Sequence, residues 1–357
     1  MKCLSLIKNK SFRLVSKKRN KLNNKEYRIQ IYFSGICSSD IPRAFENKAY
    51  HYPLVLGHEF SGKIIEVGPN CTQYEKNQFV SVFPLIPCFI HKRKVNQKCD
   101  YCKQSLFNLC KNYKYYGSRN DGSFSEEIVV NEWNIFKVPK NISKKSAALI
   151  EPISVSSNIV NKIINNSSLE KKKILVIGAG FIGQITSQLI IKYFPKSKLY
   201  VCDRNKFKLD LIKSKTIDTI HLKNNKETDY FVKSFIEQFD VVIELTGSSH
   251  LLNESIKLVK KNGKLIIPSN FENKTFLKEE SVLLIPRKEI VLQGSWNSKF
   301  DIDNNDWKMS LKFLKKNNIE NLITHQTNLE NAKELMTKIY NRKKINGFRY
   351  IKAIIQN

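Results

Sequence analysis

The stretch Lys173-Ile-Leu-Val-Ile-Gly-Ala-Gly-Phe-Ile-Gly183 decides the fold of the C-terminal half of this sequence. An apolar run typical of a buried strand leads directly into the pattern G-x-G-x-x-G, and a helical run from Gly183 to Tyr193 follows. In this context the first glycine permits a tight turn, the second lets the backbone approach a pyrophosphate, and the third lets helix and strand pack closely. The stretch therefore predicts a dinucleotide-binding turn. Its candidate cofactor-binding residues are Gly178, Gly180, Phe181, Ile182 and Gly183.

An acidic residue at the end of the next strand supports this interpretation. Asp203 lies 20 residues beyond Gly183 and ends the strand-like run Lys198–Asp203. A carboxylate at this point can accept hydrogen bonds from the adenosine ribose hydroxyls, and it repels a 2′-phosphate, which favours NAD over NADP. The alternative is a glycine-rich turn with a helix-capping aspartate. Arg204 and Thr246 are further candidate cofactor-binding residues.

Strand-like and helical runs continue to alternate through this half of the chain. Further strands are predicted at Asp240–Leu245, Gly263–Ile267 and Glu289–Gln293. Strands that alternate with helices imply a parallel, doubly wound sheet of the Rossmann type. The predicted fold class is therefore α/β, and we expect the coenzyme domain at residues 157–294.

The residues before this sheet have a different pattern. From Tyr27 to Phe83, short runs rich in Ile, Val and Phe are separated by Gly, Pro and Asn, as in Ser61–Gly68 and Gln78–Phe83. This spacing is typical of a small β-barrel domain, which we expect at residues 1–156.

The last part of the chain resembles neither another βαβ unit nor a linker. After Gly294 come two amphipathic helical patterns and a strand-like run, Phe348–Ile355. We therefore expect residues 295–357 to return to the first domain.

Composition and charge limit the classes of function. The chain has 357 residues, 41% of them hydrophobic, and a formal net charge of +29. Two domains are the natural expectation for this length. The lysines are spread through the whole chain rather than gathered in a stripe, so we expect no nucleic-acid partner, although charge alone leaves that class open. No signal peptide and no apolar run long enough to span a bilayer are evident, which favours a cytoplasmic protein without a membrane partner.

Three residue types that bind zinc occur in the β-rich part of the chain. They are the thiol of Cys37, the imidazole of His58 and the carboxylate of Glu151. Singly, each has a commoner structural explanation as a buried thiol, a satisfied core histidine or a helix-capping carboxylate. Together they provide the three protein ligands that a catalytic zinc needs beside one open position.

The order of these motifs resembles that of the zinc-dependent medium-chain alcohol dehydrogenase family. G-x-C-x-S-D at Gly35–Asp40 is followed by G-H-E at Gly57–Glu59, by Glu151-Pro152 and by the glycine motif, so the resemblance covers nearly the whole chain. It implies a GroES-like β-barrel catalytic domain joined to the Rossmann domain, and an NAD-linked enzyme that oxidises CH–OH groups. The catalytic zinc ligands that it implies are Cys37, His58 and Glu151.

The resemblance also implies roles for neighbouring residues. Ser39 is expected to hydrogen-bond the substrate hydroxyl and pass its proton outward, although a serine here also suits a structural cap. Asp40 is expected to orient His58, and Glu59 to be an occasional ligand or a support for the ligands. Many relatives complete a proton relay with a histidine five residues after the first cysteine, whereas this chain has Pro42. The relay beyond Ser39 is therefore expected to run through water or the cofactor ribose.

Four further cysteines form a second candidate metal site. Cys99-Asp-Tyr-Cys102 followed by Cys110 gives C-x2-C-x7-C, and Cys88 precedes them. Four thiolates suit a closed, tetrahedral structural zinc. Relatives place two residues between the first two cysteines, whereas ten separate them here, including the basic run His91–Lys94. The alternative is a free Cys88 with a three-cysteine site or none.

Several stretches narrow the resemblance to the branch that oxidises sugar-alcohol phosphates. They are Pro84–Phe89, Gly117–Gly122, Leu149–Val155 and Ile285–Trp296. The implied reaction turns a substrate similar to galactitol 1-phosphate into a ketose phosphate, with sorbitol (L-iditol) and L-threonine as alternative substrates. A long polyol needs a second anchor besides its reacting hydroxyl. Arg119 and then Arg43 are the candidates to bind the phosphate, and either could instead be an ordinary surface arginine.

These interpretations together predict two zinc ions per chain, one catalytic and one in a cysteine lobe at residues 84–112, with NAD as the cofactor. The expected partner is a small polyol or polyol phosphate, and the resemblance implies a homodimer or homotetramer. An alternative of a different class is a nucleotide-binding relative that has lost catalysis. The intact set of Cys37, His58 and Glu151 argues against it.

Overall fold

The computed structural model describes residues 1–91, 98–164, 171–271, 275–300, 305–342 and 350–357. The chain divides into two units: unit 1 comprises Met1–Ser154 and Ser298–Asn357, and unit 2 comprises Val155–Asn297. Residues 92–97 of the predicted cysteine lobe, and the first two residues of the predicted strand Phe348–Ile355, lie outside the described residues.

Strands occur throughout both units of the chain. In chain order they are β1 (Lys2–Lys8), β2 (Ser11–Ser16), β3 (Glu26–Ile36), β4 (Leu54–Val55), β5 (Glu59–Val67), β6 (Phe79–Val82), β7 (Leu85–Ile86), β8 (Lys114–Tyr115), β9 (Glu127–Asn131), β10 (Ile135–Lys137), β11 (Lys173–Ile177), β12 (Lys198–Asp203), β13 (Ile217–His221), β14 (Phe239–Glu244), β15 (Val259–Ile267), β16 (Val291–Gly294), β17 (Ile323–Asn328) and β18 (Lys352–Gln356).

The helices follow the same order. They are α1 (Asp40–Phe45), α2 (Cys88–His91), α3 (Asp100–Lys103), α4 (Lys144–Ala148), α5 (Ile150–Ile164), α6 (Phe181–Tyr193), α7 (Lys206–Ile212), α8 (Asn225–Ser234), α9 (Ser249–Leu258), α10 (Glu279–Arg287), α11 (Asp306–Leu314) and α12 (Ala332–Tyr340). Within the described ranges, no helix is long and apolar enough to cross a membrane.

Unit 1 is built around a mainly antiparallel sheet. Its strand order is β10-β6-β5-β3-β18-β17, with β9 paired to β3, and β2-β1-β4 and β7-β8 form two smaller sheets. The long strand β3 is central because it pairs with β5, β9 and β18. Apolar residues from several of these strands, among them Tyr27, Ile29, Phe60 and Val80, form one fully buried core.

Unit 2 contains the parallel sheet that the alternating pattern predicts. Its strand order is β13-β12-β11-β14-β15-β16, and every neighbouring pair is parallel. If the strands of this unit are numbered 1 to 6 along the chain, their order in the sheet is 3-2-1-4-5-6. This is the doubly wound order of dinucleotide-binding sheets. The strand order reverses beside β11, which places the turn after β11 where such sheets bind ligands.

Most predicted elements lie within a few residues of the observed ones. The predicted strand at residues 198–203 coincides with β12, and the helix predicted from Gly183 begins two residues earlier, at Phe181. Among the strands after residue 157, β13 and β17 were not predicted. Both contain several polar residues and are only partly buried, so neither has the apolar run that marked the other strands.

Candidate active site and metal centres

The end of β3 and the start of β5 lie side by side in the large sheet. Gly35 is opposite Glu59 in the antiparallel ladder. Cys37 directly follows β3, and His58 directly precedes β5. One candidate ligand atom from each of Cys37, His58 and Glu59 lies within 4.8 Å of the other two. The strand register therefore brings a thiol, an imidazole and a carboxylate into a single cluster.

Asp40 faces the ring of His58. Its Oδ1 lies 3.5 Å from His58 Nδ1, and its Oδ2 accepts a 3.0 Å hydrogen bond from the backbone N–H of Cys37. Because Nδ1 faces Asp40, Nε2 is the nitrogen left to bind a metal. Burial lowers the pKa of His58, but the charges of Asp40 and Cys37 outweigh burial and raise it well above its usual value. The surroundings of His58 therefore stabilise positive charge.

Glu59 is neutralised by a lysine from the last strand. Lys352 Nζ donates a 2.7 Å hydrogen bond to Glu59 Oε1 and lies 2.5 Å from Oε2, and both side chains are buried. Burial lowers the pKa of Lys352, but the adjacent Glu59 carboxylate raises it overall.

Glu151 lies in the first turn of α5 and is buried. Its Oε1 accepts a 3.2 Å hydrogen bond from the Tyr115 hydroxyl. Burial raises the pKa of Glu151 to about 7, with His58 acting in the opposite direction. The group of atoms that lie within 4.8 Å of one another contains Glu59 rather than Glu151. The sequence instead predicted Glu151 as the zinc ligand and Glu59 as an occasional ligand or a support.

Ser39 occupies the N-cap position of α1, but its hydroxyl makes no capping hydrogen bond. Its Oγ instead donates to Cys37 Sγ at 3.3 Å. The same oxygen accepts a 2.8 Å hydrogen bond from Arg43 Nη1. Ser39 therefore faces the cluster.

Arg119 has different surroundings from Arg43. Its guanidinium lies between the rings of Tyr50 and Tyr113, 4.3 Å from each ring centroid. Within the part of the chain that the structure describes, its side-chain N–H groups have no hydrogen-bond or ion-pair partner. Arg119 therefore keeps its donors available while its guanidinium contacts two aromatic rings.

The loop that carries Arg119 packs directly on the turn before His58. A Cβ atom on Gly122 would lie 2.0 Å from the carbonyl oxygen of Gly57, and a Cβ on Gly117 would lie 2.4 Å from the same atom. Gly117 also has a φ of +73°. Only glycine permits this close approach, so the loop and the His58 turn are fixed relative to each other.

A line of aromatic rings connects Arg119 with the cluster. Tyr113 contacts Tyr115 with ring centroids 6.3 Å apart, and Tyr115 contacts the His58 ring edge-on at 5.7 Å. Arg119 stacks on the first of these rings. Arg119, the candidate phosphate ligand, is thus connected to His58, a candidate metal ligand, through the contacts of Tyr113 and Tyr115.

The four remaining candidate ligands also lie together. One sulfur from each of Cys88, Cys99, Cys102 and Cys110 lies within 4.8 Å of the others, and all four are free of disulfides. Two of the Sγ–Sγ distances are 3.8 Å and 3.9 Å. A tetrahedron with Zn–S bonds of about 2.3 Å has edges of about 3.8 Å, so the arrangement fits zinc.

Backbone N–H groups point at these sulfurs. The N–H of Cys88 donates to Cys110 Sγ at 3.3 Å, and the N–H of Cys99 donates to Cys88 Sγ at 3.4 Å. Burial opposes ionisation of Cys99, but the backbone N–H groups of Cys102 and Lys111 lower its pKa to about 6. These N–H groups therefore stabilise the thiolate of Cys99, whereas burial raises the pKa of the Cys102 and Cys110 thiols, and a bound cation would favour their ionisation.

The glycines of the turn in unit 2 differ in the space around them. A Cβ on Gly183 would lie 1.9 Å from the carbonyl oxygen of Gly178, whereas a Cβ on Gly180 would meet nothing within 4 Å. Gly180 is the N-cap of α6 and provides no side-chain cap. A ligand can therefore approach the backbone closely at Gly180, and the macrodipole of α6 favours an anion there.

Asp203 ties the end of β12 to this turn. Its Oδ2 accepts a 2.8 Å hydrogen bond from the N–H of Ala179, and its Oδ1 accepts one of 2.8 Å from the N–H of Asn205. A carboxylate has about four acceptor positions, so ribose hydroxyls can still bind. Arg204, the next residue, is exposed.

Thr246 lies beside the same turn. A Cβ on Gly178 would lie 3.2 Å from Thr246 Cγ2. The buried carboxylate of Glu244 accepts hydrogen bonds from the N–H of Thr246 at 2.7 Å, from the N–H of Gly247 at 3.2 Å, and from the Thr246 hydroxyl. Glu244 therefore holds the turn that carries Thr246.

Sequence reasoning missed three of these residues: Lys352, Tyr115 and Glu244. Lys352 lies 293 residues from Glu59 and is one of 61 Lys and Arg residues, so no local signal marks it. Glu244 did have a signal, because an acidic residue at the carboxyl end of an apolar strand faces the ligand-binding edge of a parallel sheet.

Comparison with known proteins agrees with this architecture. Residues 23–140 match the alcohol dehydrogenase GroES-like domain, and residues 144–348 match the glucose dehydrogenase C-terminus. The chain is 30% identical to galactitol 1-phosphate 5-dehydrogenase of Escherichia coli (strain K12) over 321 residues, which are 88% of this chain and 89% of that protein. It is 29% identical to D-arabitol-phosphate dehydrogenase of Enterococcus avium over 319 residues, which are 87% and 86% of the two chains.

A solved structure shows the same fold throughout. The crystal structure of galactitol-1-phosphate dehydrogenase from Escherichia coli matches with a TM-score of 0.86 and 27% identity, and the match covers 100% of both chains.

A β-rich unit with zinc-type ligands and a parallel unit with a dinucleotide turn together define an oxidoreductase that acts on CH–OH groups. The chain belongs to the zinc-dependent medium-chain alcohol dehydrogenase family. The fold class, the family and the enzyme class predicted from the sequence are thereby confirmed.

Proposed function

We propose that this enzyme transfers a hydride from a sugar-alcohol phosphate similar to galactitol 1-phosphate to NAD, and so forms a ketose phosphate. The observation that supports a phosphorylated substrate is the guanidinium of Arg119. It contacts two tyrosine rings, and its N–H groups are unpaired among the described residues. Two relatives of the chain are named for polyol phosphates, which supports the same substrate class.

We infer that Cys37, His58 and Glu151 bind the catalytic zinc. Lys352 already neutralises Glu59, so Glu59 has less charge to offer a metal. Glu151 is buried and accepts a hydrogen bond from the neutral Tyr115 hydroxyl, and a bound metal ion would relieve the cost of burying its carboxylate. Bound zinc supplies a Lewis acid that favours ionisation of the substrate hydroxyl. Glu59 and Asp40 would then hold the zinc ligands in position without binding the metal themselves.

Unit 2 is proposed to bind the dinucleotide. The open backbone at Gly180 and the N-terminus of α6 suit the pyrophosphate, and the carboxylate of Asp203 suits the adenosine ribose. Bound NAD would supply the nicotinamide ring as the hydride acceptor. The negative charge of Asp203 disfavours the additional phosphate of NADP.

Arg119 is suited to hold a phosphate because its orientation is already restricted. A guanidinium presents five N–H donors in one plane and binds phosphate through pairs of them. The contacts with Tyr50 and Tyr113 restrict the position of the guanidinium. The glycine contacts with Gly57 fix the loop in turn. Little conformational entropy is therefore lost when a phosphate binds.

The cysteine lobe is proposed to hold a second, structural zinc. Four thiolates fill a tetrahedral coordination shell and leave no open position, so this ion would stabilise the fold without taking part in the reaction. The separations of the four sulfurs support this assignment.

We also propose that the protein is a homodimer. Strand β16 is an edge strand of the unit 2 sheet, and its Val291 and Leu292 are 49% and 38% exposed. On the neighbouring α10, Val282 and Leu283 are 46% and 42% exposed. A strand edge that is unpaired among the described residues and has apolar side chains favours association with a second strand. Light scattering should give twice the chain mass, and Leu292→Lys should lower it.

The substrate is tested by comparing galactitol 1-phosphate with galactitol, sorbitol and L-threonine in the zinc-loaded enzyme with NAD. We expect kcat/KM to be highest for the phosphorylated polyol. Arg119→Met should lower that value roughly 10- to 100-fold, as expected for loss of charge-assisted hydrogen bonds worth about 1.5–3 kcal/mol. The matched control is Arg13→Met, which removes an exposed arginine from β2.

The same panel decides between the alternatives. A clear preference for free polyols or L-threonine would refute the phosphate proposal. It would identify the enzyme as a polyol or L-threonine dehydrogenase instead. An equal loss with galactitol in Arg119→Met would mean that Arg119 has only a structural role. No reduction of NAD with any alcohol, in protein that contains zinc, would favour a non-catalytic relative.

A further inference from the structure

Arg43, the second candidate phosphate ligand, is directed at Ser39. Its Nη1 donates a 3.0 Å hydrogen bond to the backbone oxygen of Ser39 and a 2.8 Å hydrogen bond to Ser39 Oγ. The same nitrogen lies 3.7 Å from Asp40 Oδ1, and the Arg43 side chain is 19% exposed. These contacts join the last turn of α1 to its N-cap.

The contacts define the direction of the Ser39 hydroxyl. A hydroxyl has one hydrogen and two acceptor positions, whereas a guanidinium has only donors. Arg43 therefore occupies an acceptor position on Oγ, and the hydrogen must point elsewhere. It points at Cys37 Sγ, 3.3 Å away, on the side of the metal-ligand cluster. The N–H groups of α1 do not compete, because the hydroxyl makes no capping hydrogen bond.

We propose that Arg43 is a positioning residue that fixes the Ser39 hydroxyl as a hydrogen-bond donor toward the reacting oxygen of the substrate, and that it is not a phosphate ligand. This inference rests on the proposed function, since it assumes an alcohol held beside Cys37 and His58. A donor fixed before the substrate arrives stabilises negative charge that develops on the oxygen, without the cost of restricting a freely rotating hydroxyl.

Arg43 cannot replace the relay histidine that Pro42 has displaced. A guanidinium keeps its protons at any pH at which the protein is folded, and it has no acceptor. A proton that reaches Ser39 therefore does not continue to Arg43.

The proposal is tested by a double-mutant cycle of Arg43→Met and Ser39→Ala, with Arg43→Lys as the conservative variant. Arg43→Met should lower kcat roughly 10- to 100-fold, equally for phosphorylated and free polyols, with the KM for NAD unchanged. In the Ser39→Ala background the same change should have little further effect. Arg43→Lys, which keeps a cationic donor, should retain more of kcat. Zinc content is measured in each variant, so that loss of metal is not mistaken for loss of positioning.

A readout independent of activity is the position of Ser39 Oγ in crystal structures. We expect Oγ to turn away from Cys37 in Arg43→Met and to stay in place in Arg43→Lys, and this holds even if the substrate proposal fails. An unchanged Ser39 in Arg43→Met would overturn the inference. So would a loss of activity confined to phosphorylated substrates, or an equal loss in the Ser39→Ala background. If Arg43→Met does not fold, Arg43→Gln allows the same comparisons.

Discussion

Lys352 and Glu59 form a buried ion pair although 293 residues separate them, and their side chains are only 4% and 1% exposed. Gly35 makes the space for the carboxylate, because a Cβ there would lie 2.0 Å from Glu59 Oε2. The pair joins the last strand of the chain to the strand that follows His58. Lys352 also neutralises the charge of Glu59, the residue that follows His58 in the chain.

Removing only the lysine should destabilise unit 1 strongly. Lys352→Met leaves Glu59 buried without a cation, and we expect the free energy of unfolding to fall by about 3–5 kcal/mol. Lys352→Met combined with Glu59→Gln should lose much less, because no unpaired charge remains. Urea unfolding of both variants measures the difference. Equal losses in the two variants would show that the charge of Glu59 is not the cause.

Metal analysis should find two zinc ions per chain in protein prepared without chelators. Cys102→Ser should remove one of them and lower the melting temperature, because metal binding to the lobe is coupled to its folding. Glu151→Gln should deplete the other, more than Glu59→Gln does. Cys71→Ser, which changes a thiol outside both clusters, is the control and should keep both ions. One ion in the unaltered protein would mean that the lobe does not bind zinc.

The enzyme should prefer NAD to NADP, and Asp203→Ser should reduce that preference. Removing the carboxylate relieves its repulsion of the 2′-phosphate, and the exposed Arg204 can then pair with that phosphate. The N–H of Ala179 also loses an acceptor, so some affinity for NAD should be lost as well. Steady-state kcat/KM with both cofactors measures the ratio. Equal values in the unaltered protein would contradict the assignment of Asp203.

Glu244 should make the stability of the protein depend on pH. Burial raises the pKa of Glu244 above its usual 4.5, although hydrogen bonds from Thr246 and Gly247 oppose this. The folded protein then holds a proton more readily than the unfolded chain does. Its stability contribution is therefore present below pH 4.5 and is lost as the pH rises through the raised folded-state pKa. Glu244→Gln should flatten this dependence, and urea unfolding at a series of pH values tests it.

A second variant separates the charge of Glu244 from its role as an acceptor. Glu244→Leu leaves the N–H groups of Thr246 and Gly247 without a partner, which should cost roughly 1–3 kcal/mol of stability and weaken NAD binding. Glu244→Gln keeps an oxygen acceptor and should bind NAD more tightly than Glu244→Leu. Calorimetry with NAD measures this, and identical affinities would show that the turn does not depend on Glu244.

The sheet of unit 2 could be predicted because its signals are local. Each central strand is buried on both faces and is therefore a short apolar run, and glycines at a defined spacing mark the turn after β11. The strand predicted at residues 240–245 is observed as β14, one residue earlier. Strand β13, at the edge of the sheet, lacks such a run and escaped prediction.

The sequence by itself determined the fold class, the family and the candidate ligands, because these depend on residue types at short spacings. Only the tertiary structure decided which groups meet: Glu59 with Lys352, Glu151 with Tyr115, Arg43 with Ser39, and Arg119 between two tyrosine rings. Several of these contacts join segments that are far apart in the chain, and all depend on strand register and on side-chain direction. No local pattern encodes these features, since they follow from the packing of the whole unit.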